Sequence, residues 1–271
     1  MTLKLLLKKY QNKLDPHELD LILAQAIHKH KEYIYKYPEK NINRSSINTF
    51  KKLANQRLAG LPLAYIRGYQ EFFGLKFLVN KYTLIPRPDS ELIVEEALKY
   101  LKNTKNKKII DIGTGSGCLI LAIAKNHPNA QYFASDISGR ALKIAKTNAR
   151  KLKIKNKINF IKSDLLKNIP QNKFDLVIAN LPYLTPRQLK EPSIQKEPRT
   201  ALLSGHDGLD HYTRLLGQLP TYLAKKYLVL LEIDPDQKTK IEKLIKKYLP
   251  SGKISFLKDL AGNIRVAAIY S

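Results

Sequence analysis

The sequence predicts an α/β protein, a doubly wound and mainly parallel sheet of seven strands preceded by a small helical bundle. Three observations predict it. From Lys108 onward, short runs rich in Ile, Val and Phe alternate with helical patterns, as strand–helix–strand units do when they build a parallel sheet. The first sixty residues carry helical periodicity and no glycine before Gly60. A glycine-rich turn, Gly113-Thr114-Gly115-Ser116-Gly117, stands at the first junction of strand and helix, at the end of the sheet where such folds bind ligands.

Composition narrows the function classes. In 271 residues, 44% hydrophobic and 26% charged, there is material for one large globular domain or two smaller ones. No run of about 18 apolar residues occurs, so no helix is expected to span a membrane. The three leucines Leu5 to Leu7, flanked by lysines, are too few for a signal-peptide core, and a cytoplasmic, monomeric protein is expected. The single cysteine, Cys118, excludes an internal disulfide and a Cys-based zinc cluster. The six histidines show neither metal-ligand spacing nor a Ser-His-Asp order, so no metal is expected. The net charge of +25, from 48 basic and 23 acidic residues, favours polyanions and leaves room for weak RNA or ribosome proximity. Lysine far exceeds arginine, however, and Ile, Asn and Tyr are abundant, as AT-rich codon usage also yields; charge alone selects no partner.

Taken in order, Leu3, Leu6, Leu7 and Tyr10, then Leu19, Ile22, Leu23 and Ala26, follow the i, i+3, i+4, i+7 rule of a helix with one buried face. Between them Asp15-Pro16-His17-Glu18 supplies a capping side chain, a first-turn proline and an acid three residues on. A third helix is expected from about Ser46, with Ile47, Phe50, Leu53, Ala54 and Leu58 inward, stopped by Gly60 and Pro62. Residues 1–70 thus read as a helical domain. Residues 71–88 read as a connector, with a hairpin around Gly74 and an extended stretch enforced by Pro86 and Pro88. In 89–271, Asp89 or Ser90 caps a helix presenting Ile93, Ala97, Tyr100 and Leu101. Strands are expected at 109–112, 131–135, 158–161, 174–179, 227–233, 254–257 and 264–270, and helices at 116–126 and 138–152. The short Gly-containing loop before the last strand permits an antiparallel pair.

The chemistry lies at the strand ends. A dinucleotide fingerprint needs G-x-G-x-x-G, with its third glycine where this chain has Cys118. The spacing G-x-G-x-G argues instead for S-adenosylmethionine, whose methionine part is a small zwitterion and not a pyrophosphate. Asp136 ends the second strand, placed to accept from both ribose hydroxyls; Asp164 ends the third, within reach of adenine. Asn180 ends the fourth, in Ala179-Asn180-Leu181-Pro182-Tyr183. Singly, each is explained by a helix cap or an Asx turn. Together they place four polar groups on one crevice, and an Asn carbonyl beside a backbone carbonyl held by a proline turn can grip both hydrogens of an NH2 group. The pattern reads as an S-adenosylmethionine-dependent N-methyltransferase.

The block from Pro62 to Gly68, with Glu71, Phe72, Gly74, Phe77, Val79 and Leu84-Ile85-Pro86-Arg87-Pro88-Asp89-Ser90-Glu91, resembles the connector of the HemK/PrmC family, the peptide chain release factor glutamine N5-methyltransferases. The resemblance continues through Asp111 to Gly117, Asp136, Ser163-Asp164, Asn180 to Tyr183, Glu197-Pro198 to Ala201-Leu202 with Gly205 and Asp207-Gly208-Leu209, Leu231-Glu232-Ile233 and Asp259 to Val266. It covers nearly everything from about residue 60 onward, while the first sixty residues resemble the family only in being helical. Three positions depart from its pattern. Leu181 replaces a proline, giving an Asn-Leu-Pro-Tyr similar to that of ribosomal RNA adenine dimethyltransferases; Asp234 replaces a glycine; Leu165 stands where some relatives carry an aromatic beside adenine.

The resemblance implies a class I S-adenosylmethionine-dependent methyltransferase fold, Rossmann-like, and methyl transfer to the glutamine side-chain nitrogen in the Gly-Gly-Gln motif of class I release factors, leaving S-adenosylhomocysteine. It implies cofactor contacts from Asp111, Gly113, Thr114, Gly115, Ser116, Gly117, Asp136, Asp164, Leu165 and Asn180. Substrate contacts fall to Asn180, Leu181, Pro182, Tyr183 and Arg87, with Asn180, Pro182 and Tyr183 catalytic. No His or Glu is assigned as a base, because the surplus proton can leave after transfer. The helical domain is expected to recognise the release factor, so that deleting residues 1 to about 75 would spare cofactor binding only. Two other functions stay open. An N6-adenine methyltransferase on RNA or DNA is favoured by the charge and Leu181, although a separate base-recognition domain is absent from the sequence. A factor that binds S-adenosylmethionine and docks without catalysis is disfavoured by the intact Asn180 and Tyr183.

Overall fold

The computed structural model describes residues 1–192 and 194–271. Five helices open it: α1 (Leu3–Lys8), α2 (Pro16–Ala26), α3 (Glu32–Lys36), α4 (Arg44–Leu58) and α5 (Leu63–Arg67). Asp15 caps α2, accepting from the backbone N–H groups of His17 and Glu18 at 2.9 and 3.1 Å. Asn43 caps α4 through the N–H of Ser46 at 2.7 Å, so that helix starts earlier than expected. Helices α3 and α5 span five residues each, too few for an i+7 repeat to betray them. Leu6, Ile22, Leu23, Phe50 and Ala54 form the core of this unit. Leu58, expected inward, is 46% exposed; it ends α4, beyond Ala54, the last buried residue of that helix.

The chain divides into two units, Met1–Tyr69 and Gln70–Ser271. The connector hairpin, β1 (Tyr69–Phe72) and β2 (Leu75–Leu78), turns through Phe73 and Gly74, both at positive φ. Then follow α6 (Glu91–Leu101), β3 (Lys107–Ile112), α7 (Cys118–Asn126), β4 (Ala130–Asp136), α8 (Gly139–Lys151), β5 (Ile158–Lys162), β6 (Phe174–Ala179), α9 (Asp210–Gln218), β7 (Leu223–Glu232), α10 (Lys238–Tyr248), β8 (Lys253–Lys258) and β9 (Ile264–Tyr270). The seven-stranded sheet has the order β5-β4-β3-β6-β7-β9-β8, with β9 antiparallel to both neighbours and the other pairs parallel.

Side chains alternate along each strand, so one sequence run feeds two cores. Ile110, Val177 and Leu231 pack on one face with Leu215 of α9 and Ile241 of α10. Ile109, Ile178 and Leu230 pack on the other with Ile93 of α6 and Ile120 of α7. The chain runs outward from β3 to β4 and β5, then returns to place β6 on β3's other side. The crevice between β3 and β6 is therefore the topological switch point, where open α/β sheets bind ligands. Among the described residues, no helix is long and apolar enough to cross a membrane.

Candidate active site

The turn after β3 needs its glycines for two reasons. Gly113, Gly115 and Gly117 all lie at positive φ (76, 55 and 82°), where L side chains are strained. A Cβ on Gly113 would also sit 2.8 Å from Leu181 Cδ2. On Gly115 it would meet nothing nearer than the Gly113 carbonyl oxygen at 3.9 Å, so there only the backbone conformation asks for glycine. The end of β4 locks the turn in place. Asp136 accepts from the Gly115 N–H at 2.9 Å and from the Ser138 N–H at 2.8 Å, and burial raises its pKa. Asp111, within β3, accepts from the Thr114 hydroxyl at 2.6 Å. Desolvation, opposed by that hydroxyl and reinforced by the charge of Asp136, lifts the Asp111 carboxyl to about 7.

A cavity of ≈ 210 Å³ opens over this turn. Every cofactor residue expected from the sequence faces it except Asp111 and Gly117, which stand behind the wall. Asp164 lies two residues beyond β5 and is ion-paired with Arg214 of α9 and with Lys167. Desolvation opposes ionisation there, yet hydrogen bonds from Lys167 and Arg214 hold its carboxyl below the ordinary value. Leu165 follows it at φ 53°, buried against the sheet.

A second cavity, of ≈ 270 Å³, shares Leu84, Arg87, Asn180, Leu181 and Ala201 with the first. Tyr183 faces only this second cavity, and Pro182 only the first. Arg87 is ion-paired with Glu197, a residue 4% exposed whose other oxygen accepts from the Ile85 N–H at 3.0 Å. That carboxylate straps the proline connector to the rim. After β7, where the family pattern has a glycine, Asp234 caps a turn of 3-10 helix and accepts from the Asp236 N–H at 2.9 Å and from Gln188 Nε2 at 3.0 Å.

Three residues here escaped assignment from sequence. Ser90 does not cap α6 with its side chain. Its hydroxyl donates to one oxygen of Glu232, and its own oxygen accepts from Asn180 Nδ2 at 3.1 Å. The other Glu232 oxygen accepts from the Tyr183 hydroxyl at 3.3 Å. The Tyr212 hydroxyl donates to the Glu232 backbone carbonyl and accepts from the Leu181 N–H at 3.3 Å. Desolvation, only partly offset by Ser90 and Tyr183, lifts the Glu232 carboxyl to about 7. Two signals in the sequence mark Glu232, its membership of the Leu231-Glu232-Ile233 motif and its place. Like Asp136 and Asn180, Glu232 is a polar residue closing an apolar strand.

Residues 90–197 match the methyltransferase small domain, and residues 3–68 match the PrmC N-terminal domain. Over 251 residues the chain is 36% identical to the release factor glutamine methyltransferase of Coxiella burnetii, an alignment covering 92% of this chain and 89% of that protein. The chain belongs to the release factor glutamine methyltransferase family. Its family likeness extends into the helical unit, further than the motifs of the connector and sheet suggested. The bifunctional methyltransferase of Rickettsia bellii is 31% identical over 283 residues, covering 93% of this chain; the chain spans 50% of that longer protein. The hMettl16 catalytic domain shares the fold, with a TM-score of 0.58 at 16% identity over 81% of each chain. The family and the fold are those of an S-adenosylmethionine-dependent methyltransferase, and the cavity fits that cofactor. The glycine turn lines it together with the carboxylates of Asp136 and Asp164, acceptors suited to hydroxyl and amino groups.

Proposed function

We propose that this protein methylates the side-chain nitrogen of the glutamine in the Gly-Gly-Gln motif of class I peptide chain release factors, in support of translation termination. One observation carries the reading: two cavities meet at Asn180, whose NH2 group is already engaged by Ser90, leaving Oδ1 as the group that can accept. S-adenosylmethionine, when bound, supplies an electrophilic sulfonium methyl group. The Gly113 to Gly117 turn, Asp136, Asp164 and Leu165 would hold it in the first cavity, Leu165 giving aliphatic contact in place of an aromatic stack.

A carboxamide nitrogen is a poor nucleophile because its lone pair is delocalised into the carbonyl. Asn180 Oδ1 would accept one amide hydrogen and the backbone carbonyl at Pro182 the other, turning the nitrogen lone pair toward the first cavity. Tyr183 would pack against the planar amide and exclude water, with Leu181 and Arg87 completing the substrate wall. Residues 1–70 would recognise the release factor and 71–88 join them to the catalytic segment 89–271.

Asp136→Ala is expected to weaken S-adenosylmethionine binding by about 1.5–3 kcal/mol, the range for hydrogen bonds to a charge, or roughly 10- to 100-fold. Calorimetry returning the wild-type affinity would remove Asp136 from the site. The reading as a whole is tested by supplying methyl-labelled cofactor with a release factor, its Gly-Gly-Glu variant, ribosomal RNA or duplex DNA. Label is expected on the wild-type factor alone, because a carboxylate has no NH2 hydrogens for Asn180 and the Pro182 turn to hold. Label in nucleic acid would establish the adenine reading instead, and cofactor binding without label anywhere would establish a docking factor.

A further inference from the structure

Glu232 is buried to 3% exposure, and among the described residues no cation lies at ion-pair distance from it. The nearby Arg265 is engaged by Asp89 at 3.2 Å and Asp259 at 2.8 Å. A neutral residue of the same shape would avoid the desolvation cost of such a group. What the carboxylate does have is two hydroxyl donors, Ser90 on one oxygen and Tyr183 on the other.

We propose that Glu232 is a positioning residue for methyl transfer, holding Asn180 by way of Ser90, and Tyr183 directly, so that Asn180 presents its carbonyl oxygen to the substrate amide. The inference rests on the glutamine reading above. A carboxamide is nearly the same shape either way round, but a flipped Asn180 would aim donors at a substrate group that is itself a donor. Ser90 decides which way it faces. A serine hydroxyl has one hydrogen, and here it is committed to Glu232. Only lone pairs remain for Asn180, which must therefore offer Nδ2. An ionised carboxylate can only accept, so it sets the direction of the whole chain from its far end. Once protonated, Glu232 could donate to Ser90 and free the serine hydrogen for Asn180 Oδ1, reversing that direction.

The groups facing Glu232 are Ser90 and Asp89 from the turn before α6, Tyr183 from the loop after β6, Tyr212 from α9, Cys118 at the start of α7 and Arg265 from β9. Burial brings its carboxyl to about 7 in this setting, with Asp89 raising and Arg265 lowering it. The reversal therefore falls in the neutral range. Asp111 titrates there too and accepts from Thr114 of the cofactor turn, so the acid limb is assigned to Glu232 by its loss in Glu232→Gln.

The test is steady-state methylation of a release factor at saturating S-adenosylmethionine across the neutral pH range. Wild-type kcat is expected to fall as pH drops through about 7. Glu232→Gln is expected to lower kcat at alkaline pH by on the order of 10- to 100-fold, to abolish the acid limb, and to leave cofactor affinity and Tm near wild type. Ser90→Ala should cost up to a similar factor, and the double variant should be no slower than Glu232→Gln alone, since that substitution already loosens both the Ser90 and the Tyr183 arm. Wild-type kcat in Glu232→Gln, an acid limb that survives in it, or additive losses would overturn the proposal while leaving the glutamine reading in place. A wild-type profile flat through neutral pH would overturn it even if Glu232→Gln did not fold. Failure of the wild-type protein to methylate the factor would sink both.

Discussion

Asn180→Ala is expected to slow methyl transfer by on the order of 10²–10³, the loss that follows removal of one preorganised polar group from a reacting centre. S-adenosylmethionine affinity should stay close to wild type, because the glycine turn, Asp136 and Asp164 remain in the first cavity's wall. The loss arises where charge and geometry change during the reaction: without Oδ1 the substrate NH2 group keeps one unpaired hydrogen and rotates freely about the other. Ser90 Oγ loses its donor as well. Single-turnover kinetics beside calorimetry separates the two effects. Equal losses in binding and turnover would indicate a collapsed site and would take Asn180 out of the transfer step. Asn180→Asp makes a stricter comparison, because it keeps an acceptor but replaces the Nδ2 donor to Ser90 with a second carboxylate near Glu232.

Removal of residues 1–68 is expected to abolish methylation of the release factor while sparing cofactor binding. A single glutamine side chain buries far less than the roughly 1,000 Å² that a specific protein–protein interface needs, so recognition must come from surface outside the two cavities. The cut belongs at Gly68 and not near residue 75, as the sequence pattern suggested. Strand β1 begins at Tyr69, Phe72 is 2% exposed within the core of the second unit, and the Phe73 N–H donates to Glu91 at 2.6 Å. A deletion to residue 75 would strip β2 of its partner and open that core, confounding recognition with stability. Calorimetry with S-adenosylmethionine and a methylation assay on the shortened protein check both halves of the expectation. Full activity after the deletion would remove the helical unit from recognition.

Much of the architecture was legible from local pattern. Apolar runs such as Phe174 to Ala179 are buried on both faces, so they read as central strands whatever surrounds them. The Asp15-Pro16 start of α2 and the G-x-G-x-G turn are likewise set by backbone requirements that a few adjacent residues meet. The polar closing residues Asp136 and Asn180 stand out for the same reason: a buried strand accommodates them at least cost where it leaves the core. Helices α3 and α5, and the start of β1 at Tyr69, were hidden because one-turn helices and a hairpin's pairing leave too little periodicity to read.

What only the tertiary structure decided is how those strand ends address one another. Ser90 and Asn180 are 90 positions apart, Ser90 and Glu232 are 142, and Asp164 meets Arg214 across 50. No spacing rule links such residues, because the sheet order β4-β3-β6-β7 brings them together only after the crossovers close. The family resemblance implies that Asp111 contacts the cofactor, yet its side chain is buried and accepts from Thr114. Ser90 was read as a helix cap from its place before α6, yet its hydroxyl serves Glu232. Local sequence thus determined which strands carry polar ends and where the chain bends sharply, since those follow from burial and backbone dihedrals. Which hydrogen each polar end receives was decided by folding, because hydrogen-bond direction depends on partners that only the finished sheet supplies.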